Sequence, residues 1–328
     1  DRLNKGQQTI LFLNRRGYAG FVSCRSCGEV MKCPHCDVSL SEHKGGRLIC
    51  HYCGYTQPMP KLCPKCGSKY ILGFKAGTQQ IEEKLKELYP GVRTLRMDAD
   101  TTRTKDSYEK ILSSFANGEA DVLIGTQMIV KGHDFPKVTL VGILAADLSL
   151  NASDYRAGER TFQLLTQAVG RAGRGVLPGE AVIQTYQPDH YAITCATAQD
   201  YESFYQEEIL YRELSGYPPV AHMLAVQIYG KEEENVKQLA LRLTDVVKSN
   251  MDFLSGKQKE QSNKKIQVLG PAPANISKIN DIYRYVFYVK HAEYDVLVEV
   301  KDRLEETLRQ WQPRQMSIQF DFDPVSVL

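Results

Sequence analysis

Eight of the nine cysteines fall into four pairs of one form: Cys24-x-x-Cys27, Cys33-x-x-Cys36, Cys50-x-x-Cys53 and Cys63-x-x-Cys66. Two residues between cysteines let both sulfurs converge on one ion, with the amides of the turn aimed at the thiolates. Gly28, Gly54 and Gly67 follow three of the pairs, as a tight knuckle turn prefers. Eight thiols in this pattern make two tetrahedral Cys₄ sites. A disulfide framework needs an oxidising compartment, and nothing in the sequence signals secretion. Iron–sulfur ligation is a second alternative, but four tandem knuckles suit zinc better. Closed Cys₄ sites leave no coordination position for a substrate, so the module is a scaffold and a binding surface. His35 and His51 sit in knuckles as bystanders, since the thiols suffice. Four knuckles allow three pairings. An insertion that leaves and rejoins a sheet brings its ends together. That favours Cys24, Cys27, Cys63 and Cys66 at one ion, and Cys33, Cys36, Cys50 and Cys53 at the other. Cys195 stands alone and reads as a small buried apolar residue.

At 328 residues the chain has room for about two domains. No apolar run approaches the roughly 18 residues that span a bilayer, so no membrane role is expected. The chain opens on Asp1 with neither Met nor a basic-then-apolar leader, and further residues are expected upstream. The formal charge is +2. Eight thiolates holding two Zn²⁺ would lower it by four, to about −2, so global charge argues neither for nor against nucleic acid. Residues 1 to 75 hold twelve Lys or Arg against four Asp or Glu. Zinc sites would reduce that surplus to about four. A basic face there can follow a phosphate backbone; a solvated lysine-rich surface is the plainer alternative.

Around the module runs an α/β rhythm. Thr9 to Asn14, Val122 to Gly125, Val138 to Ala145 and Ala181 to Tyr186 read as strands, most of them apolar throughout. Thr78 reads as the cap of a helix in which Ile81, Leu85 and Leu88 share one face and which stops at Pro90-Gly91. Tyr108, Ile111, Leu112 and Phe115 mark a second helix ending at Asn117-Gly118, and a third covers about Glu159 to Ala172. This alternation predicts a doubly wound parallel sheet. Ser215 to Pro219 reads as a junction. Beyond it the order is β-α-β-β-α-β, a small α+β sandwich, with a polar loop at 255 to 265 and strands expected near Ile266 to Leu269 and Tyr283 to Val289. Tyr283, Tyr285 and Phe287 share a strand face, more suited to core packing than to base stacking.

Gln167-Ala-Val-Gly-Arg171-Ala-Gly-Arg174 presents two guanidinium forks three residues apart, on one side of a helix or its last turn. Such a pair suits phosphate oxygens and can neutralise a departing γ-phosphoryl group; two arginines merely ending a surface helix is the bland alternative. Gly125-Thr-Gln-Met-Ile-Val-Lys-Gly-His-Asp134-Phe-Pro136 follows a strand, where α/β folds place ligand loops.

Together these segments resemble motifs V and VI of superfamily-two helicases. Leu11 to Tyr18 resembles motif IV, and Gly77 to Glu83 the following helicase segment. With the cysteine knuckles between them and Asp321-Phe322-Asp323-Pro324 at the end, the chain resembles the C-terminal part of the primosomal replication-restart helicase (PriA) family. The resemblance covers nearly the whole chain, most strongly 9 to 188. It implies a RecA-like helicase lobe over 1–23 and 74–200, an inserted two-zinc module over 24–73, and a C-terminal α+β domain over 201–328. It implies that Arg171 and Arg174 are arginine fingers, with Gln167 coupling nucleotide to DNA. Asp134 and Gly132 would lie near the nucleotide, and Thr126, Gln127, Lys131, Arg15 and Arg16 along DNA. It further implies an ATP-dependent 3′→5′ DNA helicase of the cytoplasm, monomeric, acting at branched and single-stranded DNA with single-strand-binding protein, primosome proteins and helicase loaders. Gly270 to Ala274 with Lys278 resembles a family loop. Asp281-Ile-Tyr-Arg284 departs from the glycine-and-arginine sequence expected there, which puts a DNA role for Arg284 in doubt.

No Gly-x-x-x-x-Gly-Lys-[Ser/Thr] loop and no Asp-Glu-x-His box occurs. Helicase motors hydrolyse ATP between two lobes, and only the arginine-bearing lobe is here. ATP and Mg²⁺ binding is therefore expected only with a further N-terminal lobe, and this chain alone is expected to be inactive. A non-catalytic zinc-ribbon nucleic-acid-binding protein is the rival. Arginines turned away and locked in ion pairs of their own would end the motor reading.

Overall fold

The computed structural model describes residues 1–13, 22–43, 46–50, 52–73, 77–98, 101–102, 105–130, 134–150, 154–249 and 265–325. Arg15, Arg16, His51, Lys131 and Gly132, most of motif IV and almost all of the 255–265 loop lie outside them. The chain divides into two compact units: Asp1–Gly20 with Phe74–Glu208, and Phe21–Gly73 with Ile209–Leu328.

The first unit is built on a fully parallel five-stranded sheet. Its strands are β1 (Gln8–Leu13), β7 (Thr94–Met97), β8 (Val122–Gly125), β9 (Val138–Leu144) and β10 (Glu180–Ile183), in the order β10-β9-β1-β8-β7. The runs of β8 and β9, apolar but for Thr139, flank β1 in the middle of the sheet, where both faces are covered. Helices α1 (Thr78–Leu88), α2 (Lys105–Ala116), α4 (Ala157–Val169) and α5 (Tyr191–Ala198), with the short α3 (Asp147–Leu150), complete the layers. Phe12, Met97, Phe115, Ile143, Phe162 and Leu165 meet in the core, and Phe162 stacks on Phe204 at 4.1 Å between ring centroids. Buried Gln8 donates to the carbonyls of Phe115 and Ala120 at 2.7 and 2.8 Å, tying the end of α2 to β1. Cys195 packs against this core as a small apolar residue.

Several local expectations are corrected here. Gly77, not Thr78, caps α1. Thr78 is the first helical residue, and its hydroxyl donates to Asp98 at 2.5 Å, which serves a buried pair better than a cap would. The third helix stops at Val169 rather than Ala172, because Gly170 and Gly173 open a turn. The edge strand β7, the helix α5 and the helix α6 (Tyr201–Ser215) were not anticipated.

In the second unit, β2 (Val22–Cys24) pairs antiparallel with β6 (Ile71–Gly73), so the ends of the cysteine segment do meet. Between them β3 (Ser41–His43), β4 (Arg47–Ile49) and β5 (Thr56–Pro58) form a small antiparallel sheet. The remainder is a four-stranded antiparallel sheet in the order β12-β13-β11-β14, with β11 (His222–Gly230), β12 (Gln267–Ile279), β13 (Ile282–His291) and β14 (Met316–Phe322). Helices α7 (Glu233–Ser249) and α8 (Tyr294–Trp311) pack on Leu224, Val226, Ile228 and Phe287. The β-α-β-β-α-β order is as read from the sequence. Strand β12, however, runs on through Ile279, where a loop was expected. Tyr285 and Phe287 are buried in this core, so the base-stacking alternative falls for both.

Candidate metal centres and arginine turn

The cysteines gather into two clusters, Cys24, Cys27, Cys63 and Cys66, and Cys33, Cys36, Cys50 and Cys53. Within each, all four sulfurs lie within 4.8 Å of one another. Cys24 and Cys66 are 3.6 Å apart, Cys27 and Cys63 3.7 Å, and Cys33 and Cys53 3.6 Å. A tetrahedral zinc with bonds of about 2.3 Å sets its sulfurs about 3.8 Å apart. The donor set and spacing therefore fit two zinc ions. Zinc here would cross-link the module and leave no coordination site for chemistry. Gly28, Gly54 and Gly67 all take positive φ, +77°, +76° and +72°, a conformation that side chains resist. His35 stays out of both clusters; its ring bonds Asp281 and its amide donates to the Cys33 sulfur at 3.4 Å.

The thiols are prepared unequally. For Cys24, burial resists ionisation, but the amides of Cys27 and Ser26 and the side chains of Cys66 and Cys27 bring the thiol down to about 6. For Cys27, the Glu29 amide favours the thiolate, yet Cys66, burial, Cys63 and Cys24 push it up to about 12. One thiolate forms readily and discourages the next, until a divalent cation removes the repulsion.

The second centre of interest is carried by the segment that crosses from the C-terminal end of β8 to the N-terminal end of β9, and by the turn that follows α4 beside the start of β9. After β8, Gln127 opens a short 3-10 turn (Gln127–Val130), and Asp134 precedes β9. Gly125 is required at the exit: a Cβ there would sit 2.5 Å from the Met97 carbonyl oxygen. From α4 the chain turns through Arg171 to Arg174, and the Gly173 amide anchors that turn to Val138 O at 3.0 Å. Gly175 lies against the preceding loop, since a Cβ on it would stand 2.2 Å from Pro136 O. Arg174 donates from Nε to Gly170 O at 2.8 Å and forms an ion pair with Asp134 through Nη1. Burial and the charge of Arg174 hold Arg171 below the usual arginine range, partly offset by Asp134. Gln167 is exposed one turn earlier on α4. Two guanidiniums and Asp134 are thus brought to one turn. The ion pair does not lock Arg174 away. Its side chains are 42% and 70% exposed, and such surface pairs contribute roughly 0–1 kcal/mol. Thr126 is half-buried at the exit of β8. Arg284 lies over the Tyr229 ring at 5.8 Å.

Three family models match the chain. The Primosomal protein N C-terminal domain covers residues 213–325, the PriA DNA helicase Cys-rich region domain 33–58, and the Helicase conserved C-terminal domain 62–176. The chain is 43% identical over its whole length to the Replication restart protein PriA of Bacillus subtilis, spanning 40% of that protein. It is 41% identical to the PriA of Synechocystis sp. over 98% of its length, spanning 38% of that relative. The chain belongs to the PriA family. It corresponds to a C-terminal portion, about two-fifths of these relatives' length. Among solved structures, the C-terminal domain of the DEAD-box protein Dbp5 is similar over 61% of the chain and 76% of its own, at 14% identity and a TM-score of 0.33. In PriA terms, the cysteine-rich region contains the second and third knuckles, while the helicase match begins just before the fourth and runs through both arginines.

Proposed function

We propose that this chain forms the arginine-bearing lobe (1–23 and 74–200), the two-zinc module (24–73) and the C-terminal domain (201–328) of an ATP-dependent 3′→5′ DNA helicase of the cytoplasm. The helicase recognises stalled or repaired replication forks and starts primosome assembly. The observation that carries the reading is the turn at Arg171 and Arg174. Two cations are crowded there, one of them partly desolvated, beside the start of β9. A site that raises its own positive potential in this way favours a polyanion, and two guanidiniums are suited to charge developing on a transferred phosphoryl group. In this reading Arg171 and Arg174 meet the γ-phosphate of a Mg²⁺-bound ATP held by a second lobe. Arg174 exchanges Asp134 for phosphate oxygens and leaves Asp134 for the ribose, and Gln167 links this turn to the DNA track. Thr126 and Gln127, with Lys131, Arg15 and Arg16, line that track, and Gly132 lets backbone approach the nucleotide. The zinc module and C-terminal domain bind branched and single-stranded DNA, single-strand-binding protein, primosome proteins and the helicase loader, in a monomer.

The test is Arg174→Ala in the full-length protein. ATP turnover should be abolished while affinity for branched DNA stays within about twofold. The 328-residue chain alone should turn over no ATP, and adding an N-terminal half with a phosphate loop should restore it. If Arg174→Ala instead weakens DNA binding and lowers its salt dependence by about one unit, the arginine is a phosphate-backbone contact. The chain would then act as a non-catalytic zinc-ribbon binder.

A further inference from the structure

Three of the four knuckles close on themselves identically. The amide of the glycine after the second cysteine donates back to the carbonyl of the first: Gly28 to Cys24 at 2.9 Å, Gly54 to Cys50 at 3.0 Å and Gly67 to Cys63 at 2.9 Å. The knuckle Cys33-Pro34-His35-Cys36 is followed by Asp37 instead, and its amide goes elsewhere. It donates to Lys278 O at 2.8 Å, on the far end of β12. Beyond Lys278 the chain reverses at Asn280 and Asp281, both left-handed at φ 52° and 60°, as a two-residue hairpin turn requires.

This hairpin tip grips the glycine-less knuckle on every side. The Asp281 amide donates to His35 O at 2.9 Å, and the Asp281 carboxylate meets His35 Nδ1 at 2.8 Å. Lys278 Nζ donates to Pro34 O at 3.0 Å, and Ser277 Oγ to the Asp37 carboxylate at 2.9 Å. Ile279 packs into the apolar core of the zinc module. Most directly, the Asn280 amide donates to the Cys36 sulfur at 3.2 Å. Among the described residues, no hydrogen bond from the C-terminal domain reaches Cys24, Cys27, Cys63 or Cys66.

We propose that the tip formed by Ser277 to Ile282 is the outer sphere of the second zinc site. It supplies the closure that glycine supplies in the other knuckles. Zinc at Cys33, Cys36, Cys50 and Cys53 and docking of the C-terminal hairpin are then one coupled equilibrium, while the site at Cys24, Cys27, Cys63 and Cys66 is independent of it. An N–H···S bond stabilises and aims a ligating thiolate, and losing such outer partners typically costs 10- to 100-fold in metal affinity. By linkage, loss of that metal must weaken hairpin docking by the same factor.

The experiment uses the zinc-loaded 328-residue chain and follows metal transfer to a chromophoric chelator. Lys278→Ala with Asp281→Gly removes one side-chain grip from the end of β12 and one from the turn, and glycine keeps the left-handed conformation at 281. One of the two zinc ions should leave at least tenfold faster, and the other at its wild-type rate. Asn280→Gly keeps the left-handed turn and the amide and should release both ions as wild type does. The reciprocal measurement is amide hydrogen exchange over 277–283, where protection should fall in Cys50→Ser and persist in Cys63→Ser. Unchanged release of both ions from the double variant, equal acceleration of both, or retained protection in Cys50→Ser would each overturn the coupling. These readouts depend on zinc and exchange alone, so they stand or fall apart from the helicase reading, which Arg174→Ala tests.

Discussion

Replacing Gly175 by alanine should disable the arginine turn without touching either arginine. The new Cβ would stand 2.2 Å from the Pro136 carbonyl oxygen and 3.0 Å from its carbon. A comfortable carbon–oxygen contact is on the order of 3.3 Å, so the two segments must part by about 1 Å. Both are backbone, and neither can swing aside as a side chain would. Overpacking of this kind costs about 1–3 kcal/mol. Geometry suffers more than stability, because Pro136 lies two residues from Asp134, which holds Arg174. A misplacement of about 1 Å in a positioning element can cost on the order of 100-fold in rate. The full-length Gly175→Ala protein should therefore lose roughly two orders of magnitude in kcat for ATP, with zinc content and affinity for branched DNA unchanged. Gly118→Ala is the matched control. Its φ of +81° is strained, but the Cβ would meet only Lys137 Nζ at 3.4 Å, so it should lose about 1 kcal/mol of stability and no turnover. ATPase activity within twofold of wild type in Gly175→Ala would refute the close approach as the device that sets the turn.

Other expectations follow from burial. Lys290 is 5% exposed, lies 3.4 Å from the centroid of the Tyr217 ring and donates to Ser215 O at 2.9 Å. Burial brings its ammonium down to about 8, against about 10.4 unfolded. The native state holds this proton more weakly than the unfolded chain, so the group is a liability below its folded value, and stability rises as pH climbs from about 8 toward 10. Integrated from pH 7 to 9 the gain is about 1.3 kcal/mol; urea melts of Lys290→Met should lack it, and parallel pH profiles for the two proteins would contradict the assignment. Gln8→Ala leaves the buried carbonyls of Phe115 and Ala120 without their donor and should cost about 2 kcal/mol in the denaturation of the helicase lobe; a loss under 0.5 kcal/mol argues that water takes its place. Phe287→Ala empties the centre of the C-terminal core, where the ring is fully buried, and should cost about 3–5 kcal/mol by thermal melting.

Much of the fold was legible because the signals were local. Strands β1, β8 and β9 and the helices α1, α2 and α7 carry their own periodicity, and turn glycines such as Gly28, Gly54 and Gly67 declare their backbone angles. Other elements were hidden for definable reasons. Strand β7 is a four-residue edge with only Leu95 and Met97 apolar, so its identity depends on pairing with β8. Ser277 to Ile279 read as loop because β12 contains Gly270, Pro271 and Pro273, residues that a strand accepts only where its ladder is interrupted, as it is between Leu269 and Ala272.

The amino-acid order alone determined that eight thiols would hold metal in two groups and that two arginines would share one turn, because both follow from spacings of two or three residues along the chain. Only the tertiary structure decided which remote residues complete those groups. Asn280 reaches Cys36 across 244 positions of sequence, and Asp134 reaches Arg174 across 40. Such meetings are fixed by how sheets stack and where loops emerge, and no local rule of spacing or propensity encodes them.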